Sequence, residues 1–376
     1  MADAALPDES AQFLTLNGDV PPDPSRDSLL QGIRWRACMY IGSKDEYGLF
    51  ELLKAVLAES QREYRQGTAT TLNLTLHADG SVTCGDDGIG WHGDVFDPAE
   101  GLEAAMSQLS PYGQSLSRRG KIVEDSLILG WAVVNALSDR LIATSTSHGA
   151  RCVYRSSRGV PLAPLAKSHV DADDGFSLRF HPDPEIFGET RFCGSSLLAF
   201  LREQAALSPG LRIVFCEEHE NRKTVIREPT GVAVLVRDTC QSAEVLWPEP
   251  LRTEFRMGEY RLDVALNFTR NQESLCCSFA NGSVTTGWGT HVAAVRKGIR
   301  LALRSVFRDL PAETLQTLRN GGVIAVAVDI PQPNYEGPTR NKLSNPELET
   351  WMTHVTKLCF LELFVQHRAE LRAWMQ

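Results

Sequence analysis

The stretch Asp86-Asp87-Gly88-Ile89-Gly90 constrains this chain more than any other, because of what leads into it. Leu72, Leu74 and Leu76 alternate with polar residues, Ala78-Asp79-Gly80 spells a turn, and Val82 opens a second run. Together they predict a β-hairpin whose second strand ends at the carboxylates. Asp86 there can accept a hydrogen bond from an exocyclic amine, while glycines at 88 and 90 let backbone approach a flat ring with no Cβ in the way. The same five residues also read as an ordinary acidic turn.

Further short motifs are strung along the chain in a fixed order. Met39-Tyr40-Ile41-Gly42 lies upstream; V-V-N-A-L-S at 133–138, G-V-P-L-A-P-L-A at 159–166, G-W-G-T-H at 287–291 and P-T-R-N-K-L at 338–343 lie downstream. With Asp86 to Gly90 they resemble, over residues 27 to 376, the N-terminal half of the DNA gyrase B protein and its topoisomerase IV counterpart. The resemblance implies an α+β protein: a GHKL-type ATPase α/β sandwich followed by a transducer domain of the ribosomal S5 domain 2 type. It also implies a homodimer, an N-terminal arm that embraces the second protomer, and DNA enclosed by the transducer domains. The cleavage domain of complete gyrase B proteins has no counterpart in this chain, so cutting or passing DNA is not expected of it alone.

At 376 residues and 43% apolar content the chain can bury two cores. Residues 1–26 are acidic and rich in proline and read as a flexible arm, with Phe13, Leu14 and Leu16 able to dock. The pattern breaks at Pro229, giving expected domains of 27–228 and 229–376. Nine cysteines without C-x-x-C spacing argue against zinc and against a disulfide framework, and fit a reducing cytoplasm. No apolar run is long enough to cross a bilayer and no export signal is visible.

The net charge of −9 opposes non-specific nucleic-acid binding by the chain as a whole. From Pro229 onward, however, 16 Lys and Arg face 15 Asp and Glu, so the excess acid is N-terminal. Arg296, Lys297, Arg300, Arg304 and Arg308 recur mostly every four residues, along one stripe of a helix expected over Val292 to Phe307. That stripe is either a solvated face or a DNA-facing one. Other expected elements are a helix from Phe50 to Gln66, strands at Val232–Val236, Tyr260–Phe268 and Val323–Val328, and a closing helix from Glu347 to about Met375.

At the nucleotide site the resemblance frays. Aligned on Gly67, the position of the family's catalytic glutamate is Ala55, which cannot accept a proton from water. The magnesium-ligand position is Glu59, and Glu63 is kept. A four-residue slip would make Glu59 the base, with Glu63 then on the metal. The glycine-rich phosphate loop of the family corresponds to E-D-S-L-I-L-G, in which only Gly130 survives and Glu124 and Asp125 replace the leading glycines. Carboxylates there would repel a triphosphate, and bare amides are lost. They also suit a plain helix opening. The threonine that helps Asp86 hold adenine is Phe176, the arginine that would pair with Glu63 is Ile89, and the lysine that reaches the terminal phosphate is Arg340.

Three functions are compatible with these residues. The first is a catalytically silent, dimerising relative of the ATPase–transducer module that contacts a type II topoisomerase or DNA. It has no catalytic residue, metal or cofactor of its own, and its nucleotide set (Asp86, Gly88, Gly90, Glu59, Gly130, Phe176, Arg340) is degenerate. The second is an atypical ATP- and magnesium-dependent clamp using Glu59 or Glu51 as base. The third is a module binding another ligand, with Phe176 stacking on it.

Overall fold

A computed structural model describes residues 24–91, 98–107, 114–116, 118, 122–124, 130–270, 274–309, 311, 313–314, 320–336 and 341–375. The chain forms two compact units, Met1–Leu201 with Leu211–Ile226, and Arg202–Gly210 with Arg227–Gln376.

In the first unit the alternating leucines form β1 (Thr71–Leu76), paired antiparallel with β2 (Val82–Asp86), with Leu72 opposite Asp86. Asp86 is therefore the last residue of its strand. A small separate hairpin joins β3 (Gln114–Leu116) to β4 (Ile122–Glu124). The main sheet is completed by β5 (Ser138–Ser147), β6 (Ala150–Ser157), β7 (Val160–Pro161), β8 (Ala166–His169), β9 (Gly175–Pro182), β10 (Arg212–Glu217) and β11 (Arg222–Ile226). Its order is β11-β10-β1-β2-β9-β5-β6-β7, with β8 beside β6. The register sets Phe176 of β9 between Asp86 on one side and Ser145 of β5 on the other.

Four helices of this unit matter here. The first, α1 (Pro24–Trp35), begins at a proline, the residue best suited to a first helical turn. Next is α2 (Glu46–Arg65), capped by Asp45, which accepts a hydrogen bond from the Tyr47 amide at 3.0 Å. Its stop is Gly67, at φ +77°. Leu49, Leu52, Leu53, Val56 and Leu57 bury its first turns. Toward its C-terminus the inward residues become polar, with Glu59, Ser60, Arg62 and Glu63 all buried. Buried polar side chains need partners, so this half of α2 fixes where a site must lie. The others are α3 (Trp131–Ala136) and α4 (Gly194–Leu207), the last residues of which, from Arg202, belong to the second unit.

The second unit is built on a sheet of β12 (Leu251–Met257), β13 (Tyr260–Phe268), β14 (Leu275–Ala280), β15 (Ser283–Val284) and β16 (Gly322–Asp329), ordered β12-β13-β16-β14-β15. Strand β16 is buried on both faces. Val323, Ala325 and Ala327 join a cluster with Val232, Ala233, Val236 and Cys240, whereas Ile324, Val326 and Val328 pack with the helices α6 (Thr290–Val306) and α7 (Leu348–Gln366) on the opposite side. The expected strand at Val232–Val236 is wrong: α5 (Ala233–Thr239) is a helix. Its apolar residues sit at helical spacing against β16, and that burial overrides the weak strand preference of its valines. The closing helix is also two, since the chain breaks at His367 before α8 (Arg368–Trp374).

Packing in the second unit has measurable consequences. A Cβ on Gly298 of α6 would lie 2.7 Å from the Thr356 Cβ and 2.8 Å from the Thr353 carbonyl of α7. Gly298→Ala is expected to lower stability by about 1–3 kcal/mol in urea unfolding, while Gly32→Ala in α1, whose Cβ would meet nothing within 4 Å, should be neutral or stabilising. His291 is fully buried, with Nε2 3.2 Å from the Thr285 hydroxyl, and burial pushes its pKa down to about 4. The unfolded imidazole, near 6.5, binds the proton first, so stability present above pH 6.5 is lost as pH falls toward 4, by about 3 kcal/mol. The unfolding free energy of His291→Gln should depend less steeply on pH across that window.

Candidate functional site

Asp86 is 7% exposed, and its carboxylate is fully engaged. Arg118 donates from Nη1 to Oδ1 at 2.7 Å and from Nη2 to Oδ2 at 2.6 Å, a bidentate fork. Ser60 of α2 donates to Oδ2 at 2.5 Å, and the Gly88 amide to Oδ1 at 3.1 Å. Arg118 has no exposed surface and also reaches the Ile89 carbonyl at 3.2 Å. The acceptor positions that the sequence offered to an exocyclic amine are occupied by the chain's own guanidinium.

Aromatic rings stack beside the Arg118 guanidinium. The Arg118 guanidinium lies over Phe176, its Cζ 4.4 Å from the ring centroid. Trp131 stacks on Phe176 at 4.7 Å and 14°, and Trp91 meets Trp131 edge-on at 5.9 Å. Trp131 also donates from Nε1 to the Ala55 carbonyl at 3.2 Å. The ring at 176 thus supplies one layer of an internal stack, and the backbone at position 55 anchors another.

The remaining predicted residues have structural partners. Arg62 donates from Nη1 to Glu59 Oε1, and Glu59 Oε2 is buried without a hydrogen-bond partner among the described residues. Glu63 accepts from the Thr68 hydroxyl at 2.6 Å. Glu51 pairs with Lys54. Among the described residues no group of three or more His, Cys, Asp or Glu could hold a metal ion. With Glu59 tied to an arginine and Asp86 saturated, these residues do not fit a nucleotide with its magnesium ion in the arrangement seen here.

Gly88 and Gly90 are both closely packed. A Cβ at 90 would lie 2.3 Å from the Thr146 carbonyl, and one at 88 would press on Asp86 Oδ1, Ala69 and Glu63. Gly130 is the N-cap of α3, with φ −55° and ψ 150°. Glu124 ends β4, and Asp125 and Arg340 lie outside the described residues, as do Phe13, Leu14 and Leu16. Asn135 of the V-V-N-A-L-S motif is a buried hub that donates to the Met106 carbonyl and accepts from Ser156.

The basic stripe is only partly a stripe. Arg296, Arg300 and Arg304 follow α6 at intervals of four, but Lys297 turns to Glu349 of α7 at 2.9 Å. Arg308 lies beyond the helix end at Val306. The Arg296 guanidinium covers the Trp288 ring at 4.3 Å, and Arg304 and Arg308 are exposed.

Sequence reasoning does not single out Arg118, Ser60, Trp131 or Thr68. The signal it offers is indirect: a carboxylate at the end of a buried strand must find hydrogen-bond donors or a countercharge somewhere in the fold.

A family model described as DNA gyrase B matches residues 220–376. The DNA gyrase B protein of Thermus thermophilus is 30% identical over 350 residues, covering 90% of this chain and 55% of that protein. The type 2 topoisomerase B protein of Aquifex aeolicus is 29% identical over 356 residues, covering 92% and 45%. The chain spans about half the length of these curated relatives. Among solved structures, the 43K ATPase domain of Thermus thermophilus gyrase B, in complex with an aminocoumarin, superposes with a TM-score of 0.76 at 29% identity, covering 92% of each chain. The gyrase B protein of Myxococcus xanthus gives 0.77 at 27%, covering 92% of this chain and 99% of that one. The two units therefore have the α+β fold of a GHKL-type ATPase domain and the transducer that follows it. In sequence and fold, the chain is a relative of the N-terminal ATPase and transducer region of the gyrase B proteins.

Proposed function

We propose that this chain is a catalytically silent form of the gyrase B ATPase–transducer module, which acts by dimerising and by contacting a type II topoisomerase or DNA. The observation that carries the reading is the bidentate Arg118–Asp86 pair, buried in the place where the relatives' fold would receive adenine. A nucleotide entering there would have to displace Arg118 and leave a buried guanidinium unpaired. Breaking such a pair costs about 3–5 kcal/mol, roughly two to four decades of affinity before any contact is made. Hydrolysis has a second obstacle. Ala55 cannot take a proton from water, and the nearest substitute, Glu59, already neutralises Arg62.

The partner side of the proposal rests on the family relationship and on the charge of the second unit. Arg300 and Arg304 on α6 have no acidic partner in the ion pairs of the described residues, which suits them to phosphate contacts that position without reading sequence. Dimerisation follows the habit of the related fold, and sedimentation would give a monomer at micromolar concentration if it is wrong.

Two measurements test this function. With a fluorescent ATP analogue and magnesium, no saturable binding is expected up to about 1 mM, and phosphate release should stay at background, given the displacement cost above. Magnesium-dependent turnover that disappears in Glu59→Gln would overturn the proposal in favour of the ATP-driven clamp. For DNA, binding should weaken steeply with salt, and Arg300→Glu should reduce the slope of log K against log salt by about one. A salt-independent signal would remove α6 from the interface.

A further inference from the structure

The neighbourhood of Arg118 is acidic beyond the one residue it pairs with. Asp86, Glu59 and Glu63 are each buried to more than nine-tenths, and Glu59 Oε2 has no hydrogen-bond partner among the described residues. Burial works against the charge on Arg118, but Asp86, Glu59 and Glu63 outweigh it and raise its pKa above the ordinary arginine value. Arg62 offsets Glu59 in part. Without Arg118 the pocket would therefore hold three carboxylates against one guanidinium. Neutral adenine could not correct that imbalance, and a triphosphate would add to it.

The shape of the site is equally specific. Two carboxylate oxygens stand in line to receive two parallel N–H groups, at 2.7 and 2.6 Å. The Ile89 carbonyl accepts a further N–H at 3.2 Å, and the Phe176 ring, backed by Trp131, presents a π-face 4.4 Å from the guanidinium carbon. A carboxylate fork, a lateral carbonyl and an aromatic floor are the elements that recognise a planar, delocalised cation.

We infer that the former nucleotide pocket is a receptor for a planar guanidinium or amidinium group, with Arg118 as its tethered occupant, and that a small molecule bearing that group takes the same place when Arg118 leaves it. This rests on the reading that the pocket is not a nucleotide site. In the intact protein a free ligand competes with a tethered one, so its apparent affinity is reduced by the strength and effective concentration of the Arg118 contact.

The experiment uses the full chain with Arg118→Ala, and methylguanidinium chloride as the probe. Methylammonium chloride at equal ionic strength and AMP serve as comparisons. The readouts are thermal midpoint and tryptophan emission, which Trp131 and Trp91 report from the stack. Arg118→Ala should give a saturable emission change and a raised midpoint with methylguanidinium at millimolar concentration, and no saturable change with methylammonium or AMP. The unaltered protein should respond at least about a hundredfold more weakly. If Arg118→Ala does not fold alone, recovery of folded protein in methylguanidinium but not in methylammonium carries the same result. Arg118→Lys, which keeps the charge but loses the fork, should fold and bind methylguanidinium more weakly than Arg118→Ala. Equal response to methylammonium, preference for AMP, or no response to any probe would overturn the inference. Binding of an ATP analogue by the unaltered protein would instead overturn the silent-site reading beneath it, so the two failures are distinguishable.

Discussion

The Asp86 carboxylate is the point on which the first unit turns. It stands at the end of β2, the second strand of the hairpin, almost wholly removed from water, and a buried carboxylate must be met by hydrogen bonds or a countercharge. Arg118 supplies both, Ser60 and the Gly88 amide complete the set, and the flat guanidinium determines what can lie beside it. Phe176 takes one face of that plane and Trp131 takes the other face of Phe176, so the stack follows from the ion pair. A single charged contact thereby links β2, α2, β9 and the start of α3.

Once that contact exists, the departures at other motif positions become consistent with each other. An indole at 131 fits because the stack needs another layer and because its N–H finds the Ala55 carbonyl. Glu59 and Glu63, which would be exposed to repulsion in an empty acidic pocket, sit close enough to Arg118 to stabilise its charge. The protein has kept the scaffold of an ATPase domain while turning its polar interior toward itself. Such a change conserves core packing because the helix and sheet that carry these residues bury their apolar faces elsewhere, in Leu49, Leu52, Val56, Leu72 and Leu74.

Much of the architecture was legible in the sequence where periodicity was strong. The alternating leucines of β1, the amphipathic face of α2 with its glycine stop, and the apolar run of β16 all lie where their patterns place them. The failure at Val232–Val236 has a clear cause: a short run of β-branched residues satisfies either a strand or a helix, and only the face of β16 decides between them. The site was legible as a set of losses. Ala55, Phe176 and the segment before Gly130 stood out as departures from the motifs the chain resembles, but nothing in them named the side chains that surround Asp86.

The sequence by itself determined the order of elements and the location of Asp86 at a strand end, because these depend on residue identity and short-range spacing. The partner of Asp86 was decided only by the tertiary structure. Arg118 is 32 residues away in a basic stretch that carries no periodic or motif signal, and nothing local distinguishes it from its neighbour Arg119. Pairing a buried charge is a three-dimensional requirement, met by whichever opposite charge the fold can bring within hydrogen-bond distance.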